Sequence, residues 1–599
     1  MKISDLISSI NKNKIDKREL NVFFCEGLFN DLPNCFITKD SKKIVLQVLN
    51  FLNTTKSEKY TLFKKPDFLK DFSNNSSFSN IIKYIKNSTK YNDNKNQSKG
   101  IPSAKFFIHK SDNTLRTIRI PHFLNHFLIF LFQIANKNII NQIINYNNNS
   151  LAKLLTKGKI NLKFQYNNDY TIWNSKDYVF INNNLLINNY AENKLKKYEF
   201  ILGNTKILKL DISNFYDSIY THLYGQPKYL SFIKQVYDEN KFSKVSFDSW
   251  TNFANTIDNL IQIQNESQTN LLITGPYTSH IFSELLLAYI CFELKKNIGE
   301  NFLFYRDDFE FFGNDKTNFS YIQSSFETIL LKLNLKINSS KVALKSFNDF
   351  NDKTIMNFNF LQNILVKNSV WQTKANDIIT FFDTVDPKNM KYCLIIFYKL
   401  LKDKEKYIKK YLEFDKIAEK LIIYFLNLMI INSDLSKHVT ELALYLHKFL
   451  LDKNDFKNRV IKVIQEKFEE YNQLSHIYLF YILVKININV NELILIMNNI
   501  KKINVFTLSI IIRYARKKIT QINTKSQKVL NNLVNFHIDL TKKVYTNIWF
   551  SDYFYAFVEA AKLNKMWKLN NKRNFITNIP KITDKFINFI IDDIEFISF

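Results

Sequence analysis

The sequence predicts an α+β half followed by a large all-α carboxy-terminal half, and three observations predict it. All 8 glycines lie at or before Gly313, and beyond that point the only prolines are Pro387 and Pro580. Tight turns are thereby concentrated in the front of the chain, as mixed α/β structure requires. Residues 302–313 read Phe-Leu-Phe-Tyr-Arg-Asp-Asp-Phe-Glu-Phe-Phe-Gly, two aromatic alternating stretches around an acidic centre, which is the pattern of a hairpin. In the rear half, apolar residues recur at helical spacing: Val439, Leu442, Leu446, Phe449 and Leu450; Leu508, Ile511, Ile512 and Ala515; Trp549, Tyr553, Ala556 and Ala560.

At 599 residues the chain exceeds one ordinary core. The expected division is an amino-terminal helical region over 1–104, a mixed region over 105–350 and a helical domain over 351–599. Asparagine-bearing breaks such as residues 486–489 separate the rear helices. Stacked in sequence they make either a HEAT-like array or an irregular bundle. Residues 226–269 form a long connection whose role the sequence leaves open.

The chemistry starts from carboxylates. Asp307 and Asp308 at a turn are by themselves compatible with a solvated hairpin tip. Upstream, Ile207, Leu208 and Leu210 lead into Asp211, as in a buried strand that delivers one carboxylate at its end. Together the three supply what two divalent ions roughly 3.5–4 Å apart need to clamp an in-line phosphoryl displacement. Mg²⁺ is the expected ion, with Mn²⁺ as a substitute, held by Asp211, Asp307 and Asp308. Tyr216 is either a core aromatic or a ring placed under the sugar of an incoming nucleotide, where it would exclude a ribose 2′-hydroxyl. Gly275-Pro276 marks a turn into a helix whose Ile281, Leu285, Ala288 and Phe292 share a face.

The order of these segments resembles motifs A, B and C of the reverse transcriptase palm. Asp211, then Gly275 and Ser279, then Tyr305-Arg306-Asp307-Asp308 stand at the matching positions. Residues 338–341, Asn-Ser-Ser-Lys, are similar to motif D, and the resemblance implies that Lys341 protonates the pyrophosphate leaving group. Residues 110–121 resemble the fingers segment that grips the triphosphate. The resemblance also places the backbone carbonyl of Ile212 in the nucleotide-metal shell, and Thr274 and Gly275 at the nucleotide. It covers residues 105–347.

The sequence departs from that family in motif B, where Leu271, Leu272 and Ile273 replace a Gly-x-Pro pattern and Thr274 stands where glutamine is common. Grip on template and primer through this loop is therefore in question. A large helical region follows the palm, no nuclease pattern accompanies it, and the chain is rich in Lys and Asn. In these features it resembles the bacterial abortive-infection reverse transcriptases, the AbiK type more than the AbiA type. An Arg-x-x-x-x-His motif, the mark of the ribonuclease domain expected in AbiA-type chains, is missing from the sequence. The resemblance implies a phage-defence enzyme that polymerises dNTPs without a template. It also implies a single-stranded DNA product joined covalently to a protein hydroxyl, and a homo-oligomer. Templated synthesis of retron or group II intron type and a non-catalytic nucleic-acid scaffold are the other classes to separate.

Net charge is +28, which suits a partner of opposite charge through counterion release and equally suits the codon bias of an AT-rich genome. Arginine is more telling. Three of only 8, Arg116, Arg119 and Arg306, fall in the fingers segment and the acidic hairpin. A planar guanidinium grips phosphate at two points where an ammonium cannot, which makes Arg116 the first expected triphosphate contact and Lys110 the second. In the rear half, Arg513, Arg516 and Lys517 lie on one side of a helix, either as a track for a DNA strand or as a solvated face. Cys25, Cys35, Cys291 and Cys393 show no zinc spacing and no disulfide framework. Apolar stretches such as residues 421–431 are too short to span a bilayer, so a cytoplasmic protein without membrane attachment is expected.

Overall fold

A computed structural model describes residues 8, 32–36, 46, 103–109, 114–121, 126, 129–130, 132–134, 136–154, 186–187, 190–239, 244–265, 268–346, 361, 363–365, 370–411, 413–466, 473–498, 500, 503–544 and 554–571. The fold is mixed α+β, with small sheets in the front half and helices through the rear. The strands are β1 (Ala104–His109), β2 (Leu115–Ile120), β3 (Lys153–Leu154), β4 (Leu186–Ile187), β5 (Lys206–Asp211), β6 (Phe302–Tyr305), β7 (Asp308–Gly313) and β8 (Ala343–Ser346). The chain divides into two compact units, one drawn from 1–30, 40–103 and 120–354, the other from 31–39, 104–119 and 355–599.

The first unit is built on a four-stranded antiparallel sheet in the order β6-β7-β5-β8. β5 is central, as its Ile207, Leu208 and Leu210 require, and all three are buried. From Phe309 onward β7 is buried on both faces. On one face Phe304 stacks on Phe309 at 4.8 Å, and Phe326 closes over Phe309 at 4.7 Å. On the other, Ile207, Leu303 and Phe312 pack with Leu151 and Ile201. Glu310 sits in this interior because Lys197 and Lys209 reach it at 2.7 and 3.1 Å; burial alone would raise its pKa, and the two ammonium groups hold it below the usual carboxylate range.

Three helices accompany the sheet: α1 (Phe215–Ser218), the long α4 (Tyr277–Ile298) and α5 (Phe319–Leu331). The expected single apolar face of α4 is exceeded, since every residue from Thr278 to Cys291 is buried. The connection over 226–269 resolves into α2 (Pro227–Glu239) and α3 (Lys244–Gln264). Its fully buried Trp250 stacks on Phe253 and Tyr229, at 4.4 and 5.8 Å. Tyr224 and Tyr229 donate their hydroxyls to the Phe282 and Leu285 carbonyls at 2.7 and 2.8 Å. The connection is thus an aromatic buttress that fixes α4, satisfying each tyrosine hydroxyl it buries.

Among the described residues the second unit is helical apart from β1 and most of β2, and β1 packs on α8 (Gln473–Lys485), where the Phe107 N–H donates to Gln473 Oε1 at 3.2 Å. α6 (Phe414–Ile431) and α7 (Ser436–Leu446) pack as an adjacent pair, and Val439, Leu442 and Leu446 are fully buried as their spacing predicts. α8 ends at the asparagine break: Asn487 takes φ 62°, and the Asn487 and Ile488 amides cap the Val484 and Leu483 carbonyls. α9 (Val505–Lys517) is buried on every side from Val505 to Ala515 and packs against α10 (Phe554–Asn571). Trp549 and Tyr553, expected on the face of this last helix, lie outside the described residues.

The expected stripe of Arg513, Arg516 and Lys517 does not form. Arg513 is buried and donates to the Cys35 carbonyl, and Arg516 pairs at 3.0 Å with Glu559, itself buried. Only Lys517 is exposed. Arg513 is thereby drawn off the surface to meet a buried acceptor, while Arg516 is half-buried in its ion pair.

Candidate active site

Register brings the carboxylates together. β5 and β7 pair so that Asp211 stands directly opposite Asp308, and the Ile212 amide donates to the Asp307 carbonyl at 3.0 Å. Like charges directly opposite on an antiparallel pair oppose folding unless something compensates them. Lys341 compensates here, its Nζ 2.8 Å from Asp211 Oδ2. It is delivered by a 3₁₀ turn, Ser339–Lys341, capped by the Asn338 side chain and tied to β5 by the Asn338 amide on the Asp211 carbonyl at 2.8 Å.

One lysine does not balance three carboxylates. Burial raises the pKa of Asp308, and the adjacent Asp211 and Asp307 carboxylates add to it, up to about 7 against the Lys341 charge. Asp307 is also raised, by burial first and then by Asp211. Lys341 moves oppositely: burial would lower it, but the carboxylates around it raise it above the usual lysine range. Among the described residues no group of three or more His, Cys, Asp or Glu side chains is arranged to hold a metal as it stands. The donor set nonetheless fits a hard divalent cation, because all three groups are carboxylates and their mutual repulsion is what such an ion would relieve.

Strained backbone gathers in the same segments. Of five non-glycine residues with positive φ among the described residues, Asn214 (44°), Leu271 (90°) and Arg306 (59°) lie after β5, before α4 and between β6 and β7. Arg306 and Asp307 are the two turn residues between Tyr305 and Asp308. Leu271 is clamped by its amide on the Ile219 carbonyl at 3.0 Å and by the Asn265 side chain on its own carbonyl. Leu272 and Ile273 are fully buried, so they pack as core residues. The Leu272 amide also donates to the Tyr216 carbonyl at 2.8 Å, stitching this loop to α1. Gly275 adopts φ 121°, which a side chain would strain, and Thr274 beside it is half-buried.

Tyr216 is half-buried on α1, one residue after the buried Phe215. Its hydroxyl lies 2.5 Å from His280 Nδ1 and 3.2 Å from Ser283 Oγ, and burial lifts its pKa to about 12. His280 and Ser283 were not singled out from sequence; a lone His on an apolar helix reads as a core residue. Ile212 is buried and forms an isolated antiparallel bridge with Ile337. Arg116 is exposed on β2 in the second unit. Lys110 lies outside the described residues.

No protein-family profile and no curated protein matches the chain. Among the described residues, no helix is long and apolar enough to cross a membrane.

Proposed function

We propose that this chain is a nucleotidyltransferase of the reverse transcriptase class, with a palm on β5–β8 and a helical carboxy-terminal half. The reading supported best is a DNA polymerase of abortive-infection phage defence that extends a protein hydroxyl with dNTPs without a template. One observation carries the enzymatic part: Asp211 opposite Asp308, Asp307 at the turn between, and Lys341 at Asp211. The burial of Leu272 and Ile273 supports template independence, because apolar residues committed to the core are not free to grip a duplex.

In this reading Asp211, Asp307 and Asp308 would hold two Mg²⁺ ions, or Mn²⁺, with the Ile212 carbonyl beside them. When bound, the ions supply positive charge to the attacking and leaving oxygens of the phosphoryl transfer. Lys341 holds at Nζ the proton that the departing pyrophosphate needs. Tyr216 presents its half-buried ring to the sugar. Lys110 and Arg116 are triphosphate contacts by resemblance alone.

The test is incubation of purified protein with Mg²⁺ and labelled dNTPs, without template or primer, followed by denaturation. Label travelling with denatured protein supports the proposal, and Asp307→Asn should abolish it in a folded protein. Incorporation only with an added RNA template would instead indicate a retron-like or intron-like enzyme. Incorporation under no condition would leave a nucleic-acid scaffold.

A further inference from the structure

We infer that His280 sets sugar selectivity by locking Tyr216, which makes it a specificity-determining positioning residue for 2′-deoxyribonucleoside triphosphates. The inference rests on the polymerase reading above and deepens it.

Tyr216 belongs to a helix of only four residues that follows the left-handed Asn214, so its own element does little to fix the ring. What fixes it comes from α4. The hydroxyl meets His280 Nδ1 at 2.5 Å and Ser283 Oγ at 3.2 Å, and Ser283 Oγ donates to the His280 carbonyl at 2.8 Å. The two rings also meet edge-on, 5.6 Å apart and inclined by 78°. One proton assignment lets each group donate once. His280 Nδ1–H donates to the tyrosine oxygen, the tyrosine O–H donates to Ser283 Oγ, and the serine hydroxyl donates to the His280 carbonyl. This assignment follows from the hydrogen-bond pattern.

His280 and Ser283 are themselves enclosed. Both are buried, at 4% and 1% exposure, on a helix that Tyr224 and Tyr229 brace at the Phe282 and Leu285 carbonyls. Selectivity by exclusion needs a ring that cannot retreat, since a ring free to swing yields the space of one hydroxyl at little cost. The tether supplies that rigidity from the motif B helix to the motif A aromatic. Losing it should weaken discrimination against ribose without removing the carboxylates that perform the chemistry.

The experiment compares kcat/KM for dNTPs and rNTPs in wild type, His280→Leu, His280→Asn and Ser283→Ala. An asparagine amide donates from nearly the position of the imidazole Nδ1. His280→Leu is expected to lower the dNTP/rNTP ratio roughly tenfold, about 1.4 kcal/mol of discrimination, with His280→Asn retaining most of it. An unchanged ratio in His280→Leu, or an equal fall in His280→Asn, overturns the assignment. Should His280→Leu fail to fold, Ser283→Ala decides: a partial fall supports the tether and an unchanged ratio overturns it. A wild-type protein that incorporates neither nucleotide class would instead refute the polymerase reading, taking this inference with it.

Discussion

Lys341 stands with its ammonium 2.8 Å from Asp211 Oδ2, an ion pair that offsets part of the charge of the three-carboxylate cluster. The side chain is 59% exposed, so the pair contributes at most about 1 kcal/mol. Lys341→Met should therefore lower the thermal midpoint slightly when divalent ions are absent. It should also enlarge the stabilisation by Mg²⁺, because an incoming ion no longer displaces an ammonium from Asp211. Thermal scans of both proteins across a Mg²⁺ series read this directly; an equal Mg²⁺ response would deny the competition.

Asp308 makes the ion-free protein pH-sensitive. Its folded pKa of about 7 lies above the ordinary 3.8, so the native state binds this proton more tightly than the unfolded chain does. Stability from this group is complete below about pH 4, declines as pH rises, and is lost above about pH 7; Asp307, also raised, acts in the same sense. Asp308→Asn should remove much of that decline. Its thermal midpoint should match wild type near pH 4.5 and exceed it at pH 8 by about 2–4 °C per kcal/mol relieved. Scans at the two pH values in a chelator test the sign.

What was legible in the sequence was what is local. An apolar run ending in Asp211, an aromatic hairpin around Asp307 and Asp308, and a lysine shortly after a helix each announce themselves within a dozen residues. Register is not local: nothing in either segment alone says that Asp211 faces Asp308, because that depends on how β5 and β7 align. His280 was hidden for a related reason, since its partner lies 64 residues away. Arg513 was misread although a signal existed. The run Val-Phe-Thr-Leu-Ser-Ile-Ile-Ile before it carries no charge on any face, which marks a helix enclosed on all sides.

That burial predicts a split among three basic neighbours. Arg513→Ala orphans the Cys35 carbonyl in the interior, and Arg516→Ala leaves the buried Glu559 without its partner. Each should cost about 2–4 kcal/mol in denaturant unfolding. Lys517→Ala, on an exposed position, should fall within about 0.5 kcal/mol of wild type. A uniform small effect across all three, with weakened DNA binding, would restore the surface stripe.

Arg306 offers the sharpest separation of stability from function. It holds φ 59° in the two-residue turn of the acidic hairpin, a conformation glycine adopts freely and an arginine adopts at a cost of roughly 1–2 kcal/mol. Its Nε is buried with no hydrogen-bond partner among the described residues, a further cost. Arg306→Gly should consequently stabilise the protein by about 0.5–1 kcal/mol, after allowing for the greater freedom of glycine in the unfolded chain. If the guanidinium serves phosphate beside Asp307, the same variant should raise KM for dNTPs several-fold. A variant both more stable and fully active would show that the arginine is merely tolerated, whereas a less stable one would mean that its contact with the Tyr305 ring, 5.7 Å from the guanidinium carbon, outweighs the backbone strain.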